Sequence, residues 1–403
     1  MSAAGDGRTN DGFGTILLAF LRLGLTSFGG PIAHLGYFRT EFVSRRRWLD
    51  EARYADLVAL AQFLPGPASS QVGFAIGVVR GGLPGGLAAW LGFTLPSALL
   101  LTAAALASAG MPAGIGGLVH GLKLVAVAVV AQAVWGMAAS LCPDRPRATI
   151  AAAGAVLVLL LPSGWMQLAV MLMGALAGRL LCRPDPAPPA TAPLCTSIGT
   201  KAAVAALVAF AVLLAGLPVA VAMSGWHGLA LAEAGYRAGA LVFGGGHVVL
   251  PLLEQGFVGP GWIGAESFLA GYGLAQAVPG PLFTFAAFLG AAQAPAPGGI
   301  AGAAIALVAI FLPGLLLTYG MLPFWDRVRR RAGAQAALAG VNAAVVGLLL
   351  AALLGPIWFS AIAGPVDVAL ALAGFTALVL WKAPPWAVVA VLAIAGALVT
   401  GAR

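Results

Sequence analysis

The chain has 403 residues, of which 61% are apolar and only 8% charged, with 21 Lys and Arg against 13 Asp and Glu. Soluble domains carry roughly 45–50% apolar and about 25% charged residues, so water is excluded as the solvent for most of this surface. The net charge of +8 does not point to nucleic acid, because the basic residues fall in short runs between apolar segments, as in Arg45-Arg46-Arg47 and Arg327, Arg329, Arg330 and Arg331, the pattern of cytoplasmic loops in a multi-pass membrane protein.

Residues 1 to 11 are short and polar, and the apolar run after them has no small-residue cleavage site, so no cleaved signal peptide is expected. Residues 13 to 28 are apolar except for Arg22 and end in the helix-breaking run Thr26-Ser27-Phe28-Gly29-Gly30-Pro31. At this length the segment is shorter than the roughly 20 residues a span needs. A half-polar helix over 32 to 43 then leads to Arg45-Arg46-Arg47-Trp48. Residues 51 to 64 go back in, break at Pro65-Gly66-Pro67, and residues 68 to 79 come out to Arg80. Each proline removes an N–H donor and Pro67 biases Gly66 away from the α region, so this stretch reads as a break between two half-helices. Both pairs are predicted re-entrant hairpins, entered from the cytoplasm.

Spans follow at about 83 to 104 and 116 to 141, joined by a loop without Lys or Arg, predicted periplasmic. Arg145 and Arg147 return the chain to the cytoplasm, and 148 to 161 with 165 to 182 form a tight pair around Pro162-Ser163-Gly164. A Pro-rich linker over 184 to 193 is the one boundary, which divides the chain into 1–183, a linker region 184–200, and 201–403. Cys142, Cys182 and Cys195 have no ligand-like spacing, so neither a disulfide framework nor a metal site follows, and no cofactor is expected.

Beyond the linker the pattern returns. Arg22, Gly24, Phe28, Gly29 and Gly30 align with Arg237, Gly239, Phe243, Gly244 and Gly245 at an offset of 215. The break Gln62 to Pro67 returns as Gln276 to Pro281, with Pro279-Gly280-Pro281 at its core; Leu95-Pro96 matches Leu312-Pro313, and Lys123 matches Asn342. So many breakers in order at nearly one spacing indicate internal duplication. The basic loop Arg39 to Arg53 corresponds to 250 to 266, which has no base, whereas the uncharged loop near 110 corresponds to Arg327 to Arg331. Each loop changes sides, and the segment Ala202 to Val221 supplies the extra crossing. The expected fold is an all-α polytopic membrane protein of two inverted-topology repeats whose broken helices meet near the midplane, a frame common among secondary transporters.

A helix starting after Pro67 exposes its first N–H groups and the positive end of its dipole at the break. Ser69 and Ser70, with Gln62 and Gln71, would surround that end with donors. Thr26, Ser27, Gly29 and Gly30 would face it from the other hairpin. Such a cluster favours an oxyanion; the alternative is a tight loop at the membrane surface with serines that merely cap a helix. Arg22, Arg237 and Lys123 are cations in apolar segments, costing about 2.5–3.5 kcal/mol to insert, so each needs a partner, a function, or a snorkelling route to the interface. Copy two holds Leu241-Val242 where copy one has Thr26-Ser27, and Phe283-Thr284-Phe285 for Ser69-Ser70-Gln71. Anion contacts are therefore expected mainly in the first repeat. His34 and His247 are candidate proton relays or structural histidines. Asp56 is the acid best placed for proton coupling; pairing with the basic loop is the alternative. No HExxH, GxSxG or Walker pattern is present, so enzyme chemistry has no support.

Taken together, Thr26 to His34, the run Phe42 to Trp48, Gln62 to Pro67, Phe243-Gly244-Gly245-Gly246-His247 and Gln276 to Pro281 resemble the chromate ion transporter family in its long, two-domain form. The resemblance implies efflux of chromate from the bacterial cytoplasm across the inner membrane. Sulfate, of the same shape and charge, is the natural competitor, and carriage of sulfate or another oxyanion is the alternative. From another class, the alternative is a membrane enzyme or assembly factor. Membrane potential alone can drive the export of a dianion, and proton antiport would add to it. The small residues Gly81-Gly82 and Gly85-Gly86 would allow the close contact of a homodimer.

Overall fold

The computed structural model describes residues 11–108, 116–161, 164–182, 198–243, 246–329 and 331–401. The described residues are helical, without a strand. Five helices are long and apolar enough to span a bilayer, Ala68–Ser108, Gly116–Leu141, Thr200–Ser224, Gly299–Val328 and Ala332–Ala361, and shorter apolar helices fill the spaces between them. Large apolar side chains point outward, with Leu172, Leu180, Phe359 and Trp381 more than two-thirds exposed. With no water in the bilayer core to satisfy the backbone, only such helices can carry this surface through it. The molecule is an all-α, multi-pass membrane protein.

Helix α1 (Phe13–Thr26) ends where Ser27 turns extended and Gly29 and Gly30 take positive φ. Helix α2 (Gly30–Phe38) runs on through a wider turn, Arg39–Arg45, toward Trp48. Helix α3 (Glu51–Phe63) starts at an Asp50 cap, whose carboxylate accepts the Arg53 N–H at 2.7 Å. It stops before Pro65, as the sequence predicts. Helix α4 (Ala68–Ser108) turns sharply at Gly81 and Gly82. There its two halves fold against each other, with Gly77 against the Gly85 carbonyl, an approach only residues without Cβ allow.

Helices α5 (Gly116–Leu141), α6 (Arg145–Leu160) and α7 (Gly164–Leu181) complete the first half. Pro162 and Ser163, the Pro-rich linker and Cys195 lie outside the described residues. Helix α8 (Thr200–Ser224) ends at Gly225 in the left-handed region and lies against the next helices of the second half.

That half runs through α9 (His227–Leu241), α10 (Val249–Leu253) with its wide turn Glu254–Val258, α11 (Ala265–Ala275), α12 (Phe285–Ala292) and α13 (Gly299–Met321). It finishes with α14 (Trp325–Val328), α15 (Ala332–Ala352), α16 (Trp358–Ala361), α17 (Pro365–Val379) and α18 (Pro385–Gly401). Residues that the sequence offset pairs repeat one another's contacts. Gly24 lies against the Phe93 carbonyl and Gly239 against that of Ile310; Gly77 meets Gly85 and Gly290 meets Gly302. Trp48 and Leu49 N–H donate to Phe42 O, and Trp262 and Ile263 N–H to Phe257 O.

The halves are interlocked. Helices α6 and α7 pack on α15, while α17 and α18 pack on α5. Glycines permit both contacts: Gly174 and Gly178 meet Gly340, and Gly396 meets Gly117 and Gly121. The basic segments share one face. Arg80 bonds Asp11 at the start of α1 and stacks on Trp48, and Arg329 reaches Asp56 on α3. On the other face, His120 bonds Asp367, Lys123 bonds Glu266, and His227 packs on Trp262.

Candidate functional site

The four helix breaks meet inside this bundle. The Gly66 N–H donates to Val242 O at 2.7 Å, and the Gly280 N–H donates to Ser27 O at 2.9 Å. Both glycines have positive φ, +128° and +103°, a conformation that L side chains rarely adopt. The two bonds are counterparts, since Ser27 and Val242 are 215 residues apart and Gly66 and Gly280 are 214 apart. Each Pro-Gly-Pro break also rests on the long helix of the opposite half. A Cβ at Gly66 would lie 3.1 Å from Gly314 Cα on α13, and one at Gly280 would lie 2.8 Å from Ser97 Oγ on α4. At Gly246, just after the second glycine break, a Cβ would lie 3.3 Å from Pro31.

Helix α4 begins at this crossing. The Gln71 N–H is the first to find the helical ladder, bonding Pro67 O at 2.9 Å. The N–H groups before it are therefore at the helix's open positive end. Ser27, Ser69 and Ser70 are buried. Ser69 Oγ lies 3.4 Å from His34 Nδ1, and the Ser27 and Ser70 hydroxyls have no partner among the described residues. Few buried hydroxyls in folded proteins lack a partner, and here two of them lie beside a helix N-terminus.

His34 joins the two breaks of the first half. Its Nε2 lies 3.2 Å from Ser27 O, a carbonyl that can only accept, so the Nε2 proton donates there and Nδ1 faces Ser69. Gln71 donates its amide hydrogens to Pro65 O at 2.9 Å and Gly314 O at 3.3 Å. What it leaves without a partner is an acceptor, Oε1, rather than the donor expected from sequence.

Of the remaining candidates, the charged ones are placed elsewhere. Arg22 is exposed on α1, roughly 140° around the helix from buried Ser27. Thr26, also exposed, donates its hydroxyl to Arg22 O, and Gln62 is exposed at the end of α3. Arg237 bonds Glu233 at 2.9 Å and lines a crevice with Gln167 and Gln255. Lys123 is held by Glu266 at 2.9 Å, and Asp56 is buried against Arg329 at 2.8 Å. His247 meets the Tyr272 hydroxyl at 2.6 Å. Gln276 Nε2 and Asn342 Oδ1 are buried atoms without a partner among the described residues. Pro279 and Pro281 flank Gly280 in the second break, while Gly244 and Gly245 lie outside the described residues.

Two residues that sequence reasoning missed lie on α4 seven and three positions before Ser97, whose Oγ faces Gly280. Trp90 Nε1 and Thr94 Oγ1, on α4, are also buried without partners among the described residues. The signal was available at an offset of 217, where the chain has Leu307 and Phe311 in their place. Among the described residues, no group of three His, Cys, Asp or Glu side chains could hold a metal ion. Among the described residues, the polar side chains bonded or left unpartnered at the crossing, Ser27, His34, Ser69, Ser70 and Gln71, carry no fixed charge.

A chromate transporter family model matches the chain over residues 14–179 and again over 229–397. A chromate transport protein of Pseudomonas aeruginosa is 30% identical over 343 residues, covering 82% of this chain and 77% of that protein. A probable chromate transport protein of Synechococcus elongatus is 28% identical, with 83% and 81% covered, and an uncharacterised transporter of Methanocaldococcus jannaschii is 25% identical, with 85% and 84% covered. No solved structure matches the chain significantly. With its breaks, its membrane-spanning helices and a model match across most of its length, the chain belongs to the chromate transporter family, whose members are transport proteins and not enzymes.

Proposed function

We propose that the protein is a secondary transporter that exports chromate from the bacterial cytoplasm across the inner membrane, binding it where the helix breaks cross. The observation that carries the proposal is the pair of buried, unpartnered hydroxyls of Ser27 and Ser70 beside the open N-terminus of α4. A tetrahedral dianion offers acceptors on every side, and helix N–H groups and hydroxyls are the donors that suit it. Among the described residues no cation bonds the crossing, and neutral donors would hold the ion loosely enough for the release a carrier needs. Relatives named as chromate transport proteins support the choice of ion.

We read the two halves as inverted repeats. The matched contacts at Gly24 and Gly239, the reciprocal bonds at Gly66 and Gly280, and the two stretches matched by one family model support this. Alternating access would then be a rocking of the interlocked halves about the crossing. The energetics favour export: a dianion leaving a cell that is negative inside gains about 2 × 2.3 kcal/mol per 100 mV, roughly a thousandfold gradient.

Proteoliposomes loaded with chromate or sulfate, with voltage and pH gradients imposed separately, test the whole proposal. Chromate efflux driven by voltage alone is the expected result, with sulfate competing. Flux that requires a pH gradient would replace uniport by proton antiport. Absence of flux for every tetrahedral oxyanion would sink the transporter proposal.

A further inference from the structure

We infer that Trp90 and Thr94, on the second half of α4, are direct ligands of the transported oxyanion, an assignment that rests on the oxyanion-transport proposal above. Thr94 is 2% exposed, and its hydroxyl has no partner among the described residues; nor has the Trp90 indole N–H. For Thr94 this is unusual within the molecule itself. Thr26, Thr40, Thr102, Thr149 and Thr318 each donate to the carbonyl four residues earlier, the ordinary way a helical threonine satisfies its hydroxyl. Thr94 does not bond the equivalent acceptor, Trp90 O.

Positions 90, 94 and 97 follow one another up a single face of α4. That face looks onto the second break. Ser97 donates to Thr94 O at 3.1 Å and presents its Oγ to Gly280, whose N–H bonds Ser27 O. The Trp90 ring lies 5.9 Å from that of Phe311 on α13. Ser27, with its own unpartnered hydroxyl, therefore meets the same glycine that Ser97 faces.

The counterpart positions on α13, at an offset of 217, are Leu307, Phe311 and Gly314. The first half holds polar donors where the second holds apolar groups, as it does at Ser27 against Val242 and at Ser69 against Phe283. Gln276 Nε2 is the exception, a buried donor without a partner in the second half; a bias of polar donors toward one half is what a single ligand bound off the axis of two similar halves would require. A buried donor without an acceptor destabilises the fold, so several around one crossing need a ligand to serve. An indole N–H only donates, so the ligand atom before Trp90 is an acceptor, as every oxygen of a chromate or sulfate dianion is.

The test is chromate flux in proteoliposomes with Thr94→Val and Trp90→Phe. Loss of one hydrogen bond to a charged acceptor should raise KM by about ten- to a hundredfold in each. Thr94→Ser should restore wild-type KM, and Thr318→Val, whose hydroxyl is bonded within its own helix, should leave it unchanged. Melting temperatures in detergent separate a ligand from a structural residue. Thr94→Val replaces an unpartnered hydroxyl by a methyl group of the same shape, so its melting temperature should match or exceed that of the wild type. Wild-type KM in both variants would overturn the assignment. So would a raised KM in Thr94→Val that Thr94→Ser does not rescue and a lowered melting temperature accompanies. If the wild-type protein moves no oxyanion at all, the transport proposal itself fails and the assignment falls with it.

Discussion

At the scale of single residues, the proposed function divides the groups at the crossing into those that build it and those left to face an anion. Gln71 is a builder, because its amide ties the first break to Pro65 and to Gly314 of the other half. Gln71→Leu should strand two buried carbonyls and destabilise the protein by about 1–3 kcal/mol, read from chemical or thermal unfolding in detergent. Ser70→Ala removes a hydroxyl that bonds nothing in the described structure, so it should leave the melting temperature unchanged and raise KM for chromate. Equal destabilisation by the two substitutions would contradict this division. At the basic face, Glu41 has a different role. Burial acts to raise its pKa, but Arg46 at 2.6 Å and Arg45 at 3.3 Å hold it below the ordinary carboxylate value. A carboxyl whose folded pKa is depressed adds stability above its unfolded pKa, about 4.3, and loses it as pH falls through the folded value. The wild-type melting temperature should therefore drop below about pH 4.3, and Glu41→Gln should flatten part of that acid limb. An unchanged acid limb would mean that the pair is too well solvated to matter.

At the scale of elements, the glycines at the two Pro-Gly-Pro breaks have two constraints each, a positive φ and a neighbour where a Cβ would go. Gly66→Ala meets Gln71 and Gly314, and Gly280→Ala meets Ser97. Each should cost on the order of 1–3 kcal/mol and abolish flux, because the strain falls on the reciprocal bonds to Val242 and Ser27. Glycine at position 82, in contrast, turns where a Cβ would meet little, so Gly82→Ala should lower stability through its positive φ and leave KM intact. These breaks were legible in the sequence because Pro and Gly act on the backbone locally, whatever the tertiary context. What the sequence hid is which break crosses which. The partners Gly66 and Val242 are far apart in the chain, and no local pattern announces a bond between backbones. Thr94 and Trp90 were hidden differently, since in an apolar helix they read as core. Lys123 and Asp56 were visible as ionisable residues in apolar surroundings, but their partners lie 143 and 273 residues away.

At the scale of the whole molecule, those two ion pairs tie one half to the other at opposite faces, and they differ in what surrounds them. Asp56 and Arg329 are both buried, with Asp326 bonding the same guanidinium at 2.7 Å. Lys123 is buried, but the Glu266 side chain is 74% exposed. A surface-facing carboxylate is screened and contributes about 0–1 kcal/mol, whereas removing one partner of a buried pair leaves an uncompensated charge and costs about 3–5 kcal/mol. Asp56→Asn should therefore lower stability by about 3 kcal/mol, the low end because Asp326 remains, and Glu266→Gln by less than about 1 kcal/mol. Unfolding of the two variants side by side in detergent measures the difference, and raising the salt concentration should erase the smaller effect first. If the order were reversed, the tie on the basic face could not be the stronger one. With the order as expected, the halves are held more tightly together on the face that carries the arginine runs, and the opposite face is the one along which they separate at less cost.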